Sequence, residues 1–158
     1  MDDINFEVNN VVFNYRVAIL IRNDNKILVQ EDNRFKHLTL PGGRCKLGET
    51  SIEASIREFK EETNIDIEFV RNIGMIENFF NLTFDGKRYH EILIVHEMKF
   101  NNKGFYNEDI IYNIEDNKKE HLKYKWIDVQ KLKSIDFRPR ILLENLDKDS
   151  FQHIINKD

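Results

Sequence analysis

The stretch that most limits what this chain can become runs from Gly43 to Ile65, GRCKLGETSIEASIREFKEETNI, entered through Pro41-Gly42. A proline beside paired glycines ends whatever precedes it and lets the backbone turn sharply or lie close against another group. The residues beyond this turn read as a helix with a defined start and stop. Thr50 with Glu53 three residues on has the form of a capping box, so the helix begins at Thr50 or Ser51. Asn64 tolerates the left-handed conformation in which helices end. Ile52, Ile56 and Phe59 recur at i, i+4 and i+7 as a core stripe, with Glu53 and Lys60 on a solvent side.

The same helix is dense in carboxylates. Glu58, Glu61 and Glu62 are three and four positions apart, which places them within an arc of roughly 100° on one patch of surface. Like charges so close repel, and the arrangement invites a cation. Arg57, four residues before Glu61, partly offsets the cluster and can hold a carboxylate in orientation. Carboxylates beside glycine carbonyls make a hard, oxygen-rich site suited to Mg²⁺ or Mn²⁺.

Gly43, Glu49, the run Arg57-Glu58-Phe59-Lys60-Glu61-Glu62 and then Asn64-Ile65 closely resemble the Nudix box of the Nudix hydrolases. The one departure is Asn64 where the box has glycine, a mild change because asparagine readily adopts positive φ. The resemblance implies an α/β (α+β) fold, an α/β/α sandwich around a mixed central sheet. It implies that Glu58, Glu61 and Glu62 bind the metal, with the Gly42 carbonyl as a further ligand. Glu49 joins that set, and Glu49 and Arg57 help bind or orient. The catalytic base is either a box glutamate, Glu58 or Glu61, or a glutamate in a loop beyond the box, for which Glu120 stands in the right region. Gly43 and Arg44 adjoin the place where phosphate is bound. The implied reaction is attack of water on phosphorus in a nucleoside diphosphate linked to another moiety.

The rest of the chain bounds these expectations. A length of 158 residues suits a single domain over 1–158, and a net charge of −4 argues against broad DNA or RNA binding. The lack of a long apolar run and the acidic start MDDINFEVNN point to a cytoplasmic protein without a membrane span. The single Cys45 forms no internal disulfide and reads as an ordinary loop residue. The five histidines lack metal-ligand spacing, and Glu91 and Glu97 read as structural or exposed. A homodimer is left open.

Val11 to Ile21 reads as a strand, turning at Asn23-Asp24-Asn25 into Lys26 to Gln30. Phe35 to Leu40, Ile65 to Val70 and Ile73 to Phe84 read as extended, with a hairpin at Asp85-Gly86 leading to Lys87–Phe100. Residues 101–119 read as a long surface loop, Tyr124 to Asp128 as a strand and Val129 to Leu132 as a short helix. Ile141 to Asn145 and Asp149 to Asn156 read as further helices. Short marks of particular substrate classes are missing outside the box, which leaves a nucleoside triphosphate or a nucleotide sugar as the substrate type. Two alternatives are a nucleotide-sensing domain without turnover and an enzyme acting on RNA 5′ ends, for which Lys118-Lys119 and Arg138 to Arg140 supply thin basic support.

Overall fold

A computed structural model describes residues 2–82, 85–114 and 122–157. Its organising element is a 13-residue strand rich in β-branched and aromatic residues, β2 (Val11–Asn23). Along one side β2 runs parallel to β7 (Arg88–Phe100). Along the other it pairs in turn with β1 (Asn5–Val8), β5 (Gly42–Arg44) and the start of β3 (Lys26–Asp32), all antiparallel. Beyond β7 lie β6 (Ile67–Asn81) and, parallel to it, β10 (Gln152–Lys157). Beyond β3 lie β9 (Leu122–Asp128) and β8 (Ile110–Tyr112), while β4 (Leu38–Thr39) pairs with β3 along the edge opposite β9.

Alternation along β2 supplies both cores of this mixed sheet. Ile19 and Ile21 face α1 (Ser51–Thr63), packing with Phe59, Met98 and Tyr124. Ala18 and Leu20 face the opposite layer, where α2 (Val129–Leu132) and a 3₁₀ turn at Arg140–Glu144 contribute Leu132, Leu142 and Leu143. One helical layer on each face gives the expected sandwich. Among the described residues, no helix is long and apolar enough to cross a membrane.

Helix α1 starts and stops where local chemistry places it. Thr50 accepts from the Glu53 backbone N–H while the Glu53 carboxylate accepts from the Thr50 N–H, and Asn64 ends the helix at φ 60°. Thr50→Ala is therefore expected to cost about 1 kcal/mol. Urea unfolding with an unchanged m-value checks this.

The buried face differs from the expected stripe. Ala54, Ser55, Phe59, Glu62 and Thr63 are buried, whereas Ile52 and Ile56 are only half-buried. Small residues let α1 approach the sheet closely, a signal that counting large apolar side chains does not register.

Other expectations shift in extent. Ile65–Val70 and Ile73–Phe84 are largely one strand, β6, broken by two register shifts. Residues 101–119 are not one loop, since a 3₁₀ turn at Lys103–Asn107 and β8 interrupt them. Asp149–Asn156 is not a helix: β10 occupies it, with alternating burial beside β6. Cys45 follows β5 as a loop residue but is buried against Val17 and Ala54, and burial pushes its thiol up to about 12.

Candidate active site

The box residues meet where α1 crosses β5. Gly42 and Gly43 are required by approach distance. A Cβ on Gly42 would fall 2.1 Å from the Val17 carbonyl oxygen, and one on Gly43 would fall 2.2 Å from the Glu58 carboxyl carbon. The two substitutions therefore fail differently. Gly42→Ala pushes against the backbone of a central strand and is expected to lower the melting temperature sharply. Gly43→Ala pushes against a movable side chain, so turnover is expected to fall by at least about tenfold with a smaller loss of stability. Paired thermal melts and rate measurements on the two variants check this.

Arg57 ties the site together. Its Nε–H and Nη2–H grip Glu49 at 2.9 and 2.6 Å, and Nη2 also donates to the Arg44 carbonyl at 2.9 Å. Nη1 donates to Glu58 at 2.9 Å and to Glu61 at 3.3 Å. Each of the five guanidinium N–H groups thus has an acceptor. Glu49 is fixed from its other side by the Lys46 backbone N–H at 2.7 Å. The Arg57 bonds hold the Glu49 carboxyl below the usual carboxylate range, and the same partnership raises the arginine further.

Glu58 and Glu61 present hard oxygen donors around one nitrogen. Their carboxylates are no farther apart than those two contacts end to end, and the missing Cβ of Gly43 is what makes room for Glu58. This donor set fits Mg²⁺ or Mn²⁺. Among the described residues, no three acidic, imidazole or thiol groups already converge on one point.

Glu62 has a further partner. It is 6% exposed and accepts from the Tyr124 hydroxyl, while its carbonyl accepts from the Ile114 N–H at 2.7 Å. The helical arc that places three carboxylates on one surface takes no account of β9, which supplies this partner. Arg44 is half-exposed, with Nη1 3.8 Å from Asp3. Glu120 lies outside the described residues.

Three supporting residues carry no signal in the sequence. Tyr124 is 62 positions from Glu62, and the Lys46 amide holds Glu49 through backbone alone. Under the first turn of α1, Ser51 Oγ lies 2.8 Å from Nε2 of buried His96, whose pKa is lowered by burial.

Comparison with known proteins gives the same outline. A family model described as the NUDIX domain matches residues 12–146. The chain is 40% identical over 60 residues to the NAD-capped RNA hydrolase NudC of Vibrio atlanticus (strain LGP32), a match covering 37% of this chain and only 22% of that protein. It is 26% identical over 149 residues to the RNA pyrophosphohydrolase of Pelagibacter ubique (strain HTCC1062), covering 87% and 90% of the two chains. Among solved structures, the MutT protein from Methanosarcina mazei Go1 superposes with a TM-score of 0.61 at 24% identity, covering 85% of this chain and 93% of that one.

Proposed function

The chain belongs to the Nudix hydrolase family, and from that membership we propose that it hydrolyses a phosphoanhydride bond in a nucleoside diphosphate linked to another moiety, with Mg²⁺ or Mn²⁺ as cofactor. The observation that carries this reading is the Arg57 fork, which gathers Glu49, Glu58 and Glu61 beside Gly43. Glu58 and Glu61 hold the cation, with the Gly42 carbonyl as a further ligand. Glu62 joins the set while its carboxylate also accepts from the Tyr124 hydroxyl. A bound divalent ion supplies neutralisation of phosphate charge and a lowered pKa for water.

The chain's own groups do the rest. Arg57 holds three carboxylates, those of Glu49, Glu58 and Glu61, in place. The absent Cβ of Gly43 keeps the approach to Glu58 open. Water adds to phosphorus, its proton passes to a glutamate oxygen, and the bridging oxygen leaves with the second phosphorylated product. Glu58, Glu61 and Glu120 are the glutamates proposed for that proton.

A nucleoside triphosphate or nucleotide sugar is the proposed substrate type. The second reading, action on the 5′ end of RNA, is favoured by the names of two relatives, an NAD-capped RNA hydrolase and an RNA pyrophosphohydrolase. The test is a panel of nucleoside triphosphates, nucleotide sugars, dinucleotides and 5′-triphosphorylated RNA, each with Mg²⁺ and with Mn²⁺. Release of phosphate or pyrophosphate from one of them is expected. Tight binding of one without turnover of any would favour a nucleotide sensor instead.

A further inference from the structure

On the face of the sheet that carries α2, one register row is polar across five strands. Asn5 of β1, Asn14 of β2, Glu91 of β7, Asn78 of β6 and Asn156 of β10 are successive cross-strand partners. The three central members are almost fully enclosed, at 4% exposure for Asn14 and Glu91 and 7% for Asn78. Amides link the flanks: Asn5 donates to Asn14, Asn156 to Asn78 at 2.8 Å, and Asn78 to Glu91 Oε1 at a long 3.4 Å.

Central strands seldom bury such a row, because each polar group gives up water and must be repaid by a partner. At Glu91 the compensation is incomplete. Its Oε2 is buried without a hydrogen-bond partner, and Arg16 Nη1 comes only to 3.9 Å. Arg16 Nε is likewise buried and without a partner. An ion pair at that separation returns little against the desolvation of the carboxylate. The Arg16 side chain is 41% exposed, so it joins the enclosed carboxylate to solvent.

The position of this pair is as informative as its chemistry. Arg16 is the partner of Arg44 across β2 and β5, two residues from the pairing of Ala18 with Gly42. Among the described residues β5 pairs with β2 alone, so its outer edge adjoins both faces of the sheet. Glu58 lies against β5 on one face; on the other face Arg16 stands one strand in from β5, with Glu91 across β2 on β7.

We propose that Arg16 and Glu91 are the recognition point for the part of the substrate beyond its reacting phosphates. They accept a neutral group that donates to Glu91 Oε2 and accepts from Arg16 Nε side by side. Adjacent hydroxyls of a sugar and the amide edge of a nucleobase both have this chemistry. The assignment rests on the hydrolase reading only in calling the ligand a substrate. Both residues determine specificity and take no part in the bond-breaking step.

The test monitors the Arg16 Nε–H resonance in ¹H–¹⁵N spectra during titration with GMP, UMP, AMP, CMP and ribose 5-phosphate. A shift of this resonance is expected. If ribose 5-phosphate moves it as far as the nucleotides do, the sugar is the group recognised; if only certain nucleotides move it, the base is. Glu91→Gln is expected to weaken binding of the responding ligand by about tenfold or more, with KM rising and kcat nearly unchanged for any nucleotide that is turned over. Its melting temperature is expected to stay level or rise, since a poorly compensated buried charge is removed. Two results would overturn the proposal: an Arg16 resonance unmoved by all five ligands, or a Glu91→Gln protein that loses stability while keeping its affinity. Ligands that bind through Arg16 with no panel member hydrolysed would leave this site standing and remove the hydrolase reading.

Discussion

Glu61→Gln is expected to lower turnover by at least about a hundredfold while the protein remains folded. The side chain is 41% exposed and meets Arg57 at 3.3 Å, so the fold leans on it lightly. The substitution keeps shape and one acceptor oxygen but removes the charge that a divalent cation needs. Titration of Mn²⁺ into the variant, read by electron paramagnetic resonance, should show weakened binding in step with the lost rate. Near-normal turnover in a variant that has lost Mn²⁺ would detach the box helix from the chemistry.

Arg57→Lys is expected to be as damaging to turnover, at least about a hundredfold, and unlike Glu61→Gln also to cost about 2–4 kcal/mol of stability. The difference lies in geometry. Arginine reaches Glu49 with two parallel bonds while its remaining donors hold Glu58, Glu61 and the Arg44 carbonyl. A lysine ammonium is a single point and cannot span those acceptors. Glu49, whose side chain is 9% exposed, would then keep a buried charge with only the Lys46 amide beside it. Urea unfolding and steady-state rates on the same preparation separate the two effects, and a variant of unchanged stability would show that the fork does not hold the site together.

Which parts of the fold are legible in the chain depends on how far apart the cooperating residues are. Helix α1 is set by neighbours, Thr50 with Glu53 at one end and Asn64 at the other, and local rules suffice for these. Asp85-Gly86, with Gly86 at φ 67°, turns the chain from β6 to β7 for the same reason. The hairpin between β1 and β2 lacks so plain a cue, because Asn9 and Asn10 supply its positive φ values of 51° and 65° where glycine is the stronger signal. β10 reads as a helix in the sequence because a short segment carries too few periods to tell strand from helix, and its partner β6 is far away along the chain.

The site divides along the same line. Arg57, Glu58 and Glu61 lie within one and a half turns of helix, and the Arg57–Glu61 contact at i, i+4 follows from their spacing. Glu62 shares that spacing, and its bond from Tyr124 on β9 is a partner that the helix period does not show. Arg16 and Glu91 look unremarkable as isolated charges on two strands, and only the parallel pairing of β2 with β7, Asn14 beside Glu91 and Arg16 beside Leu93, brings them together. Helical periodicity cannot see partners contributed by a sheet.

If the Arg57-held carboxylates direct water onto phosphorus, the oxygen of that water must end in a product. Turnover of the responding nucleotide in H₂¹⁸O with Mg²⁺, with the products read by ³¹P NMR and mass spectrometry, tests this directly. One ¹⁸O atom is expected in one phosphorylated product per cleavage, with formation of that product stopped by EDTA and restored by Mg²⁺ or Mn²⁺. Cleavage that leaves both phosphorylated products free of ¹⁸O, or that continues unchanged in EDTA, would contradict it.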